Sequence, residues 1–393
     1  MQIISIDELH TGMYVVEVVE TINKVKIKTK GWVKTDKSIA MLKRKGILKI
    51  AIDPSKTIID EPNEQPEKAP EPTNKIKPVA LENELHRAKK LYQEAKELQK
   101  KAIGDIQSGL KLDVEPIKEA TKKFIDSIFR NQDALACMTR IREKDEYLLE
   151  HSLNVSILMG IFARHLALDT ETINQLATGA FFHDIGKTKI PDEILHKPGK
   201  LSDAEFEFMK KHAQFSLDIL HETEGLSDIS KQVAAEHHEK LDGSGYPNNL
   251  KGDEISQWGR MITIVDIYDA MTAERVYKKG MTSTNAFKVM KSMTPHQLDE
   301  ELLNSFIQCI GVYPVGTLVK LESGKLAIVT KSNKIAPLKP RIKVFYHTTH
   351  KHFTDMKEID LARAGETESI ESSVKPEQFK IDLNRFFRQA FVM

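Results

Sequence analysis

The chain has 393 residues, of which 40% are hydrophobic and 29% are charged, and its formal net charge is +1. These values are typical of a globular protein with two or three domains. The nearly neutral charge gives no global electrostatic reason to expect a DNA or anionic-membrane partner, and no apolar run is long enough to predict a membrane span.

The start of the chain and its cysteines both bear on the cellular compartment. Residues 1–20 lack the basic start and the apolar block of a secretory signal. Cys137 and Cys309 are each isolated in the sequence, which argues against a disulfide framework. We therefore expect a cytoplasmic protein whose two thiols are ordinary buried side chains.

The first segment, residues 1–53, is predicted to be a small α+β module. Its strands are predicted from segments rich in Val and Ile, at residues 13–19, 25–33 and 47–52. Residues 35–45 have helical character, and Gly46 fits the end of a helix. Six prolines in residues 54–78 then predict a flexible or extended linker.

A long connecting helix is predicted over residues 79–112. Apolar residues recur there at steps of three and four, and they are Leu81, Leu85, Ala88, Leu91, Ala95, Leu98, Ala102 and Ile106. This stripe either packs on the helix's own domain or pairs with a second copy of the chain as a short coiled coil. A homodimer through residues 81–106 is therefore one of two hypotheses, and the alanines weaken it.

A helical domain is predicted over residues 113–310. Almost all of this region has helical periodicity, and three residues resemble helix N-caps: Asp113, Asp169 and Ser202. One long interruption, residues 241–256, contains several glycines. Ligand contacts are often placed on such loops, so we expect this loop to border a functional site.

The last segment, residues 311–393, is predicted to be a β-rich extension with a polar tail. The sequence period changes to two there, which predicts strands at residues 317–321, 326–330 and 343–346. The predicted fold is therefore mainly α, with a small N-terminal α/β module before the helical domain and a β-rich extension after it.

The first candidate site residues are the adjacent His183 and Asp184. Apolar residues precede them in Phe-Phe-His-Asp-Ile-Gly-Lys, so the pair is expected near a core. Burying a carboxylate there is costly unless it is paired or binds a cation, and imidazole and carboxylate are both ligands of Fe, Mn, Zn and Co. The dipeptide alone is weak evidence, since a His-Asp pair on a helix is more often a surface pair.

A second motif strengthens the metal hypothesis. His237 and His238 are adjacent and are followed by Glu-Lys-Leu-Asp-Gly-Ser-Gly-Tyr-Pro. Side chains of adjacent helical residues point about 100° apart, so both imidazoles reach one metal only where the end of a helix lies against the site. Asp266 adds a carboxylate in an otherwise apolar stretch. The joint occurrence of these features in one helical domain predicts a metal centre.

Three motifs resemble those of the HD-GYP family, a branch of the HD metal-dependent phosphohydrolases. They are His-Asp-Ile-Gly-Lys at residues 183–187, His-His-Glu-Lys-Leu-Asp-Gly-Ser-Gly-Tyr-Pro at 237–247 and Asp-Ile-Tyr-Asp-Ala-Met-Thr at 266–272. The resemblance covers residues 140–310, and the nearly complete second motif makes it highly specific. The residues before the helical domain also resemble the small N-terminal domain that often precedes HD-GYP domains in bacteria.

The resemblance implies a cyclic di-GMP phosphodiesterase with two divalent metal ions, usually iron or manganese in this family. One ion would be bound by four residues: His151, His183, Asp184 and Asp266. The second would share the bridging Asp184 and use three histidines: His212, His237 and His238. A metal-bridging hydroxide would open the cyclic dinucleotide to linear pGpG, and a further step to GMP is left open.

The same resemblance assigns roles to residues around the metals. Lys187 would act with Asp184 in catalysis, at the reacting phosphate. Substrate contacts are implied for four residues: Gly245, Tyr246, Arg275 and Lys278. Arginine and lysine suit phosphate binding, although a plain basic surface is the alternative for Arg275 and Lys278.

Two positions depart from the family's pattern. Tyr147 stands where some members have a Glu that binds a third metal, so we expect two metals. Val276 stands where Pro is frequent, and we expect this difference to matter little.

Two other functions stay open at this level. In the first, the domain is a receptor for a cyclic dinucleotide or a protein partner, with little turnover. Degenerate receptors usually lose metal ligands, and this chain has kept them. In the second, the chemistry is the same and the substrate is mixed cyclic GMP-AMP. The N-terminal module and the connecting helix are hypothesised to regulate the helical domain, alone or with protein partners.

A weaker metal candidate lies near the C-terminal strands, where His347, His350 and His352 are close in sequence. Histidine-rich tracts bind metals in some proteins. An exposed polar loop is the interpretation that we favour from the sequence.

Overall fold

The computed structural model describes residues 2–21, 31–33, 39, 42–44, 46–54, 76–140, 147–273, 280–333 and 335–379, and the statements below concern these residues. The chain divides into two compact units, residues 1–73 and 74–393. Among the described residues, no helix combines the length and the apolar character that crossing a bilayer requires. Cys137 and Cys309 are buried and form no disulfide bond with another described residue, as predicted.

The first unit contains a four-stranded antiparallel sheet in the order β1-β4-β2-β3, with an aliphatic core. Its strands are β1 (Gln2–Ser5), β2 (Tyr14–Thr21), β3 (Gly31–Trp32) and β4 (Ile47–Ile52). The strand predicted at residues 47–52 is confirmed, and the one predicted at residues 13–19 lies one to two residues later. Most of the predicted strand 25–33 and helix 35–45 lies outside the described residues.

The second unit begins with a series of helices, some of which carry the candidate site residues. They are α1 (Leu81–Gln107), α2 (Glu115–Met138), α3 (Tyr147–His165), α4 (Thr170–Phe182), α5 (Asp192–Leu195), α6 (Asp203–His221), α7 (Asp228–Glu236), α8 (Gln257–Thr272), α9 (Ser283–Met293) and α10 (Glu300–Ile310). Helices α4 and α8 each pack against both α3 and α7, and a 3-10 helix, Ile185–Lys189, packs against α6. These contacts bring five helices close together, namely α3, α4, α6, α7 and α8.

Helix starts follow the predicted capping residues in two of three cases. The Asp169 and Ser202 side chains accept backbone N–H groups at the starts of α4 and α6. The prediction of Asp113 is wrong by one residue, because Val114 is the N-cap of α2 and the Asp113 carboxylate accepts the N–H of Glu115 from outside the helix.

The apolar stripe of α1 is buried inside the second unit. The buried apolar residues of this helix are Leu81, Leu85, Ala88, Tyr92, Ala95, Ala102 and Ile106, while Leu91 and Leu98 are half-buried. The hypothesis that the stripe packs on its own domain is therefore confirmed. A homodimer through residues 81–106 would have to use other surfaces of this helix, and it stays a prediction.

Polar contacts also connect α1 with α3. Nζ of Lys96 lies 3.1 Å from Oε1 of Glu150, and both side chains are buried, at 3% and 2% exposure. The Tyr92 hydroxyl donates a hydrogen bond to Oδ1 of Asn154 at 2.9 Å. Because Glu150 immediately precedes His151, these contacts hold α1 against the segment of α3 that carries a candidate ligand.

Replacing Lys96 by methionine is expected to destabilise the helical unit. The change removes the ammonium that lies 3.1 Å from the buried Glu150 carboxylate, and breaking a buried ion pair by losing one partner costs about 3–5 kcal/mol. Lys100→Met is the matched control, because the Lys100 ammonium pairs with Glu97 on an exposed face and such pairs contribute less than about 1 kcal/mol. Urea denaturation compares the two variants, and equal midpoints would contradict the importance of the buried pair.

The second unit ends in a five-stranded antiparallel sheet in the order β8-β7-β6-β5-β9. Its strands are β5 (Leu318–Leu321), β6 (Lys325–Lys331), β7 (Arg341–His347), β8 (His352–Asp360) and β9 (Ile370–Ser373). The three predicted strands are confirmed to within two residues, whereas β8 and β9 were not predicted. Apolar side chains of β5, β6 and β7 join the core formed by the helices. The predicted fold class, mainly α with a small α/β module and a β-rich extension, is confirmed.

Candidate metal centre and active site

The seven predicted metal ligands converge in the second unit. They are His151 on α3, His183 and Asp184 at the end of α4, His212 on α6, His237 and His238 at the end of α7, and Asp266 on α8. Six of them are buried, and the His238 side chain is 24% exposed. His237 is the C-terminal cap of α7, so the helix ends against the site, as the sequence argument for the adjacent histidines requires.

The donor atoms form two adjacent groups. The first group consists of Asp184, His212, His237 and His238. The second consists of His151, His183 and Asp266. Within each group the donor atoms lie within 4.8 Å of one another, so each group is able to hold a metal ion.

The Asp184 carboxylate faces both groups. Oδ1 lies 3.3 Å from Nε2 of His212 and 3.9 Å from Nε2 of His237. Oδ2 lies 3.4 Å from Nε2 of His183 and 3.6 Å from Nε2 of His151. Two ligands with bonds of about 2.1 Å to one ion lie about 3.0–3.4 Å apart. The distances therefore suit a cation on each side of this carboxylate.

Two buried donor atoms support this interpretation. Nε2 of His183 and Oδ1 of Asp184 are buried and make no hydrogen bond to any described residue. Buried polar atoms almost always have a partner in native proteins. Cations between these donors would supply the missing partners, so the residues present fit a metal centre.

The other ring nitrogen of each buried histidine is held in place. The Nδ1–H groups of His183, His212 and His237 each donate to the backbone carbonyl three residues earlier, at 2.7 Å. A carbonyl oxygen only accepts hydrogen bonds, so Nδ1 carries the proton and Nε2 keeps its lone pair. Such contacts fix the ring orientation and the tautomer that metal binding needs.

The charges in the first group are already those that a cation requires. Burial opposes ionisation of Asp184, but the neighbouring Lys187 and His183 side chains outweigh it and hold the pKa of its carboxyl well below the usual range. Burial, followed by the neighbouring His238, holds the pKa of His237 well below its usual value. Burial also lowers the pKa of His238 to about 3. Ionised carboxylates and neutral imidazoles are the forms that bind metals.

His151 lies between two carboxylates. Its Nε2 is 2.9 Å from Oδ1 of Asp266 and its Nδ1 is 2.8 Å from Oδ2 of Asp269. Burial opposes protonation of His151, but the hydrogen bonds to Asp266 and Asp269 outweigh it and raise its pKa to about 9. A proton therefore bridges His151 and Asp266 at the place where a cation would be shared, while Asp269 holds the ring from the other side.

Lys187 and Tyr246 lie at the edge of the ligand groups. Nζ of Lys187 is 2.5 Å from Oδ2 of Asp184, and its side chain is 22% exposed. The Tyr246 ring lies 4.6 Å from the His238 ring and 6.3 Å from the His212 ring, measured between centroids. Burial raises the pKa of the Tyr246 phenol, so the hydroxyl keeps its proton. The site thus combines an ammonium, a phenol and two groups of candidate metal ligands.

Comparison with known proteins gives matches along most of the chain. A family model described as "HD domain" matches residues 135–302. Models described as "Domain of unknown function (DUF3391)" and "KOW domain associated with HD domain" match residues 1–117 and 318–381.

Curated relatives determine the family. Over 292 residues the chain is 36% identical to "Cyclic di-GMP phosphodiesterase PA4108" of Pseudomonas aeruginosa. The aligned region covers 74% of this chain and 70% of that protein. The chain belongs to the HD-GYP family. A "3'3'-cGAMP-specific phosphodiesterase 3" of Vibrio cholerae is 36% identical over 44% of this chain and 37% of its own length. A "Cyclic di-GMP phosphodiesterase" of Thermotoga maritima is 31% identical over 49% of this chain and 52% of its own length.

The Gly-Tyr-Pro loop of this HD-GYP chain is anchored by a residue to which the sequence analysis gave no role. The Glu239 side chain accepts the N–H groups of Asn248 at 2.7 Å and Leu250 at 3.0 Å. Gly245 passes so close that an added Cβ would lie 2.5 Å from Cα of Glu239. The signal available in the sequence was an acidic residue between two histidines and a glycine-rich loop. Glu239 and Gly245 thus position Tyr246 beside His238.

Asp269 is the second residue of the HD-GYP site that had no assigned role. Asp269→Ala is expected to weaken metal binding by about 10–100-fold, the usual effect of losing a contact that orients a metal ligand. Asp269→Asn is the conservative variant, because its amide oxygen still accepts the Nδ1–H of His151. Equilibrium dialysis with Mn²⁺ measures both affinities. Wild-type affinity in the alanine variant would contradict the positioning role.

The structure does not describe the side chains of three residues named in the predictions. Arg275 and Lys278, the predicted phosphate-binding residues of the HD-GYP chain, lie outside the described residues. Tyr147 begins α3, one helical turn before His151, and the structure describes its backbone alone. The roles of Arg275 and Lys278 and the expectation of two metals stay predictions.

Proposed function

We propose that this chain is a metal-dependent phosphodiesterase that hydrolyses cyclic di-GMP to linear pGpG. The observation that carries the proposal is the Asp184 carboxylate, which presents one oxygen to each of two donor groups and lies 2.5 Å from the Lys187 ammonium. Its relatives, which are named as cyclic di-GMP and 3'3'-cGAMP phosphodiesterases, support the same class of reaction.

Two divalent cations are proposed to occupy the two donor groups, with Asp184 shared between them. Imidazole and carboxylate donors without a thiolate are compatible with iron and with manganese. When bound, such a pair of cations lowers the pKa of water and offsets the negative charge of a phosphate. The proposed ligands are those of the two groups defined above.

The side chains around the cations bind and orient the substrate. Lys187 is proposed to donate to a phosphate oxygen and to offset its charge. Tyr246 offers a hydroxyl donor and an aromatic face beside His238. Gly245 leaves room for the loop to approach the backbone of residues 238–240 after α7, and Arg275 and Lys278 are proposed to hold phosphate oxygens.

A comparison of two cyclic dinucleotides tests the proposed substrate. Metal-loaded protein is incubated separately with cyclic di-GMP and with 3'3'-cGAMP, and the products are resolved by chromatography. Faster conversion of cyclic di-GMP, to pGpG, is expected. Faster conversion of 3'3'-cGAMP would change the substrate and keep the chemistry. Binding of both dinucleotides without product, in the presence of Fe²⁺ and of Mn²⁺, would favour a receptor.

Regulation by the flanking segments is also proposed. Residues 1–53 are proposed to act on the helical domain through the predicted linker 54–78, which leads into α1. Helix α1 contacts α3 next to His151. Deletion of residues 1–78 tests this proposal. Unchanged activity and an unchanged oligomeric state in the shortened chain would remove its support.

A further inference from the structure

A second group of histidines lies at the turn between β7 and β8, on the C-terminal sheet. His347 ends β7 and His352 begins β8, and these two residues are direct cross-strand partners. His350 lies in the turn between them. Their ring centroids are 4.6 Å apart for His347 and His350, 6.0 Å for His347 and His352, and 6.1 Å for His350 and His352. Three imidazoles therefore border one small space.

The 4.6 Å separation of His347 and His350 suits two imidazole ligands of one metal ion. The His352 ring lies 6.0 Å and 6.1 Å from the other two rings, so its exposed side chain has to turn toward a bound ion. A metal–nitrogen bond of about 2.0–2.1 Å puts each ring centre about 3.2 Å from the ion, so two rings at a tetrahedral angle are about 5 Å apart. Ring pairs in the candidate metal centre have similar separations, 5.3 Å for His151 and His183 and 5.0 Å for His212 and His238.

The His347 ring has a nitrogen that needs a partner. Nδ1 of His347 is buried and makes no hydrogen bond to any described residue. Buried polar atoms without a partner are rare, and an ion is one explanation for them. His350 and His352 are exposed, so their rings are able to rotate toward an ion that enters from solvent.

The charges around the group permit a bound cation. Lys325 is the cross-strand neighbour of His347 on the other side. Its ammonium lies 2.8 Å from the Glu368 carboxylate, which offsets the positive charge next to the group.

We propose that His347, His350 and His352 form a separate binding site for one transition-metal ion of the kind that prefers imidazole, such as Ni²⁺, Cu²⁺ or Zn²⁺. The ion links the end of β7 to the start of β8, because its ligands come from both strands and from the turn. The site shares no residue with the phosphodiesterase centre, so it does not depend on the proposed function.

The test counts metal ions in the full-length protein without an affinity tag. Wild type and the double variant His350→Gln/His352→Gln are loaded with Mn²⁺, dialysed against Ni²⁺, and analysed for bound metal and protein. Both proteins keep the phosphodiesterase centre, so a difference in their Ni²⁺ content reports on the site formed by His347, His350 and His352. Wild type is expected to bind one more Ni²⁺ per chain than the double variant. The single variant His350→Gln is expected to bind that ion at least about 10-fold more weakly than wild type.

The control is His196→Gln, because the His196 side chain is 62% exposed. His196 caps the C-terminal end of α5 and is not part of the C-terminal sheet. This control is expected to bind as much Ni²⁺ as wild type. The proposal is overturned if the double variant binds the same number of Ni²⁺ ions as wild type. It is also overturned if His196→Gln lowers binding as much as His350→Gln, because binding would then be a general property of exposed histidines.

Discussion

Asp184→Asn is expected to lower kcat for cyclic di-GMP hydrolysis by at least about 10³-fold, as for loss of a residue on which a whole catalytic group depends. The wild-type carboxylate faces His212 through Oδ1 and His183 through Oδ2, at 3.3 Å and 3.4 Å. An asparagine has one acceptor oxygen and no charge, so it cannot serve both donor groups. Steady-state product formation at saturating Mn²⁺ measures the loss.

Asp192→Asn is the matched control for this change. The Asp192 side chain is 85% exposed on α5, and its loss of charge is expected to leave kcat within twofold of wild type. Circular dichroism of both variants separates lost chemistry from lost folding. A folded Asp184→Asn protein with wild-type kcat would contradict the bridging role.

Lys187→Met is expected to lower kcat by about 10²–10³-fold, the range seen when a donor to developing charge is removed. Its ammonium is the positive group nearest the shared carboxylate among the described residues, at 2.5 Å from Oδ2 of Asp184. Methionine keeps the length of the side chain and removes the charge. Because Lys187 is not a metal ligand, metal content is expected to stay at the wild-type level while turnover falls.

Lys189→Met is the control, since Lys189 lies two residues later on the same 3-10 helix and is exposed. It is expected to keep wild-type turnover and metal content. Equal losses in the two variants would show that the effect comes from the helix and not from the Lys187 ammonium. A Lys187→Met protein that loses its metal instead would move this residue from substrate binding to support of the ligands.

The family motifs identified more of the site residues than the spacing of residues in the sequence could identify by itself. His183 and Asp184 are adjacent, as are His237 and His238, so each pair is visible in the sequence. His151 and His212 have no such neighbours, and only the packing of α3 and α6 brings them to Asp184. Their inclusion came from the family resemblance and not from the residues themselves.

Contacts between distant helices were beyond the sequence argument. Lys96 and Glu84 have the charged character of a solvated helix face, yet they are buried against Glu150 and Arg130. Glu239 and Asp269 were likewise visible as acidic residues in the motifs, but their partners are set by tertiary structure. Hydrogen bonds across such distances leave no periodic pattern in the chain.

The missed strands have a common physical cause. Strand β8 (His352–Asp360) is an edge strand that pairs with β7 alone, and most of its residues are exposed. An edge strand that buries little has no alternation of apolar and polar residues to detect. Strand β9 lies at the opposite edge of the same sheet. Strand β1, which was also not predicted, lies at an edge of the first sheet. By contrast, β6 and β4 are central and carry the apolar residues that predicted them.

The proposed activity depends on the two donor groups that share Asp184, and metal content measured together with nucleotide products tests this dependence most directly. Protein purified anaerobically is analysed for iron and manganese, and a portion of the same sample is incubated with cyclic di-GMP. We expect about two divalent ions per chain, as in other paired-metal hydrolases, and linear pGpG as the product. A folded protein that holds no metal after Fe²⁺ or Mn²⁺ loading and leaves the cyclic dinucleotide intact would contradict the account.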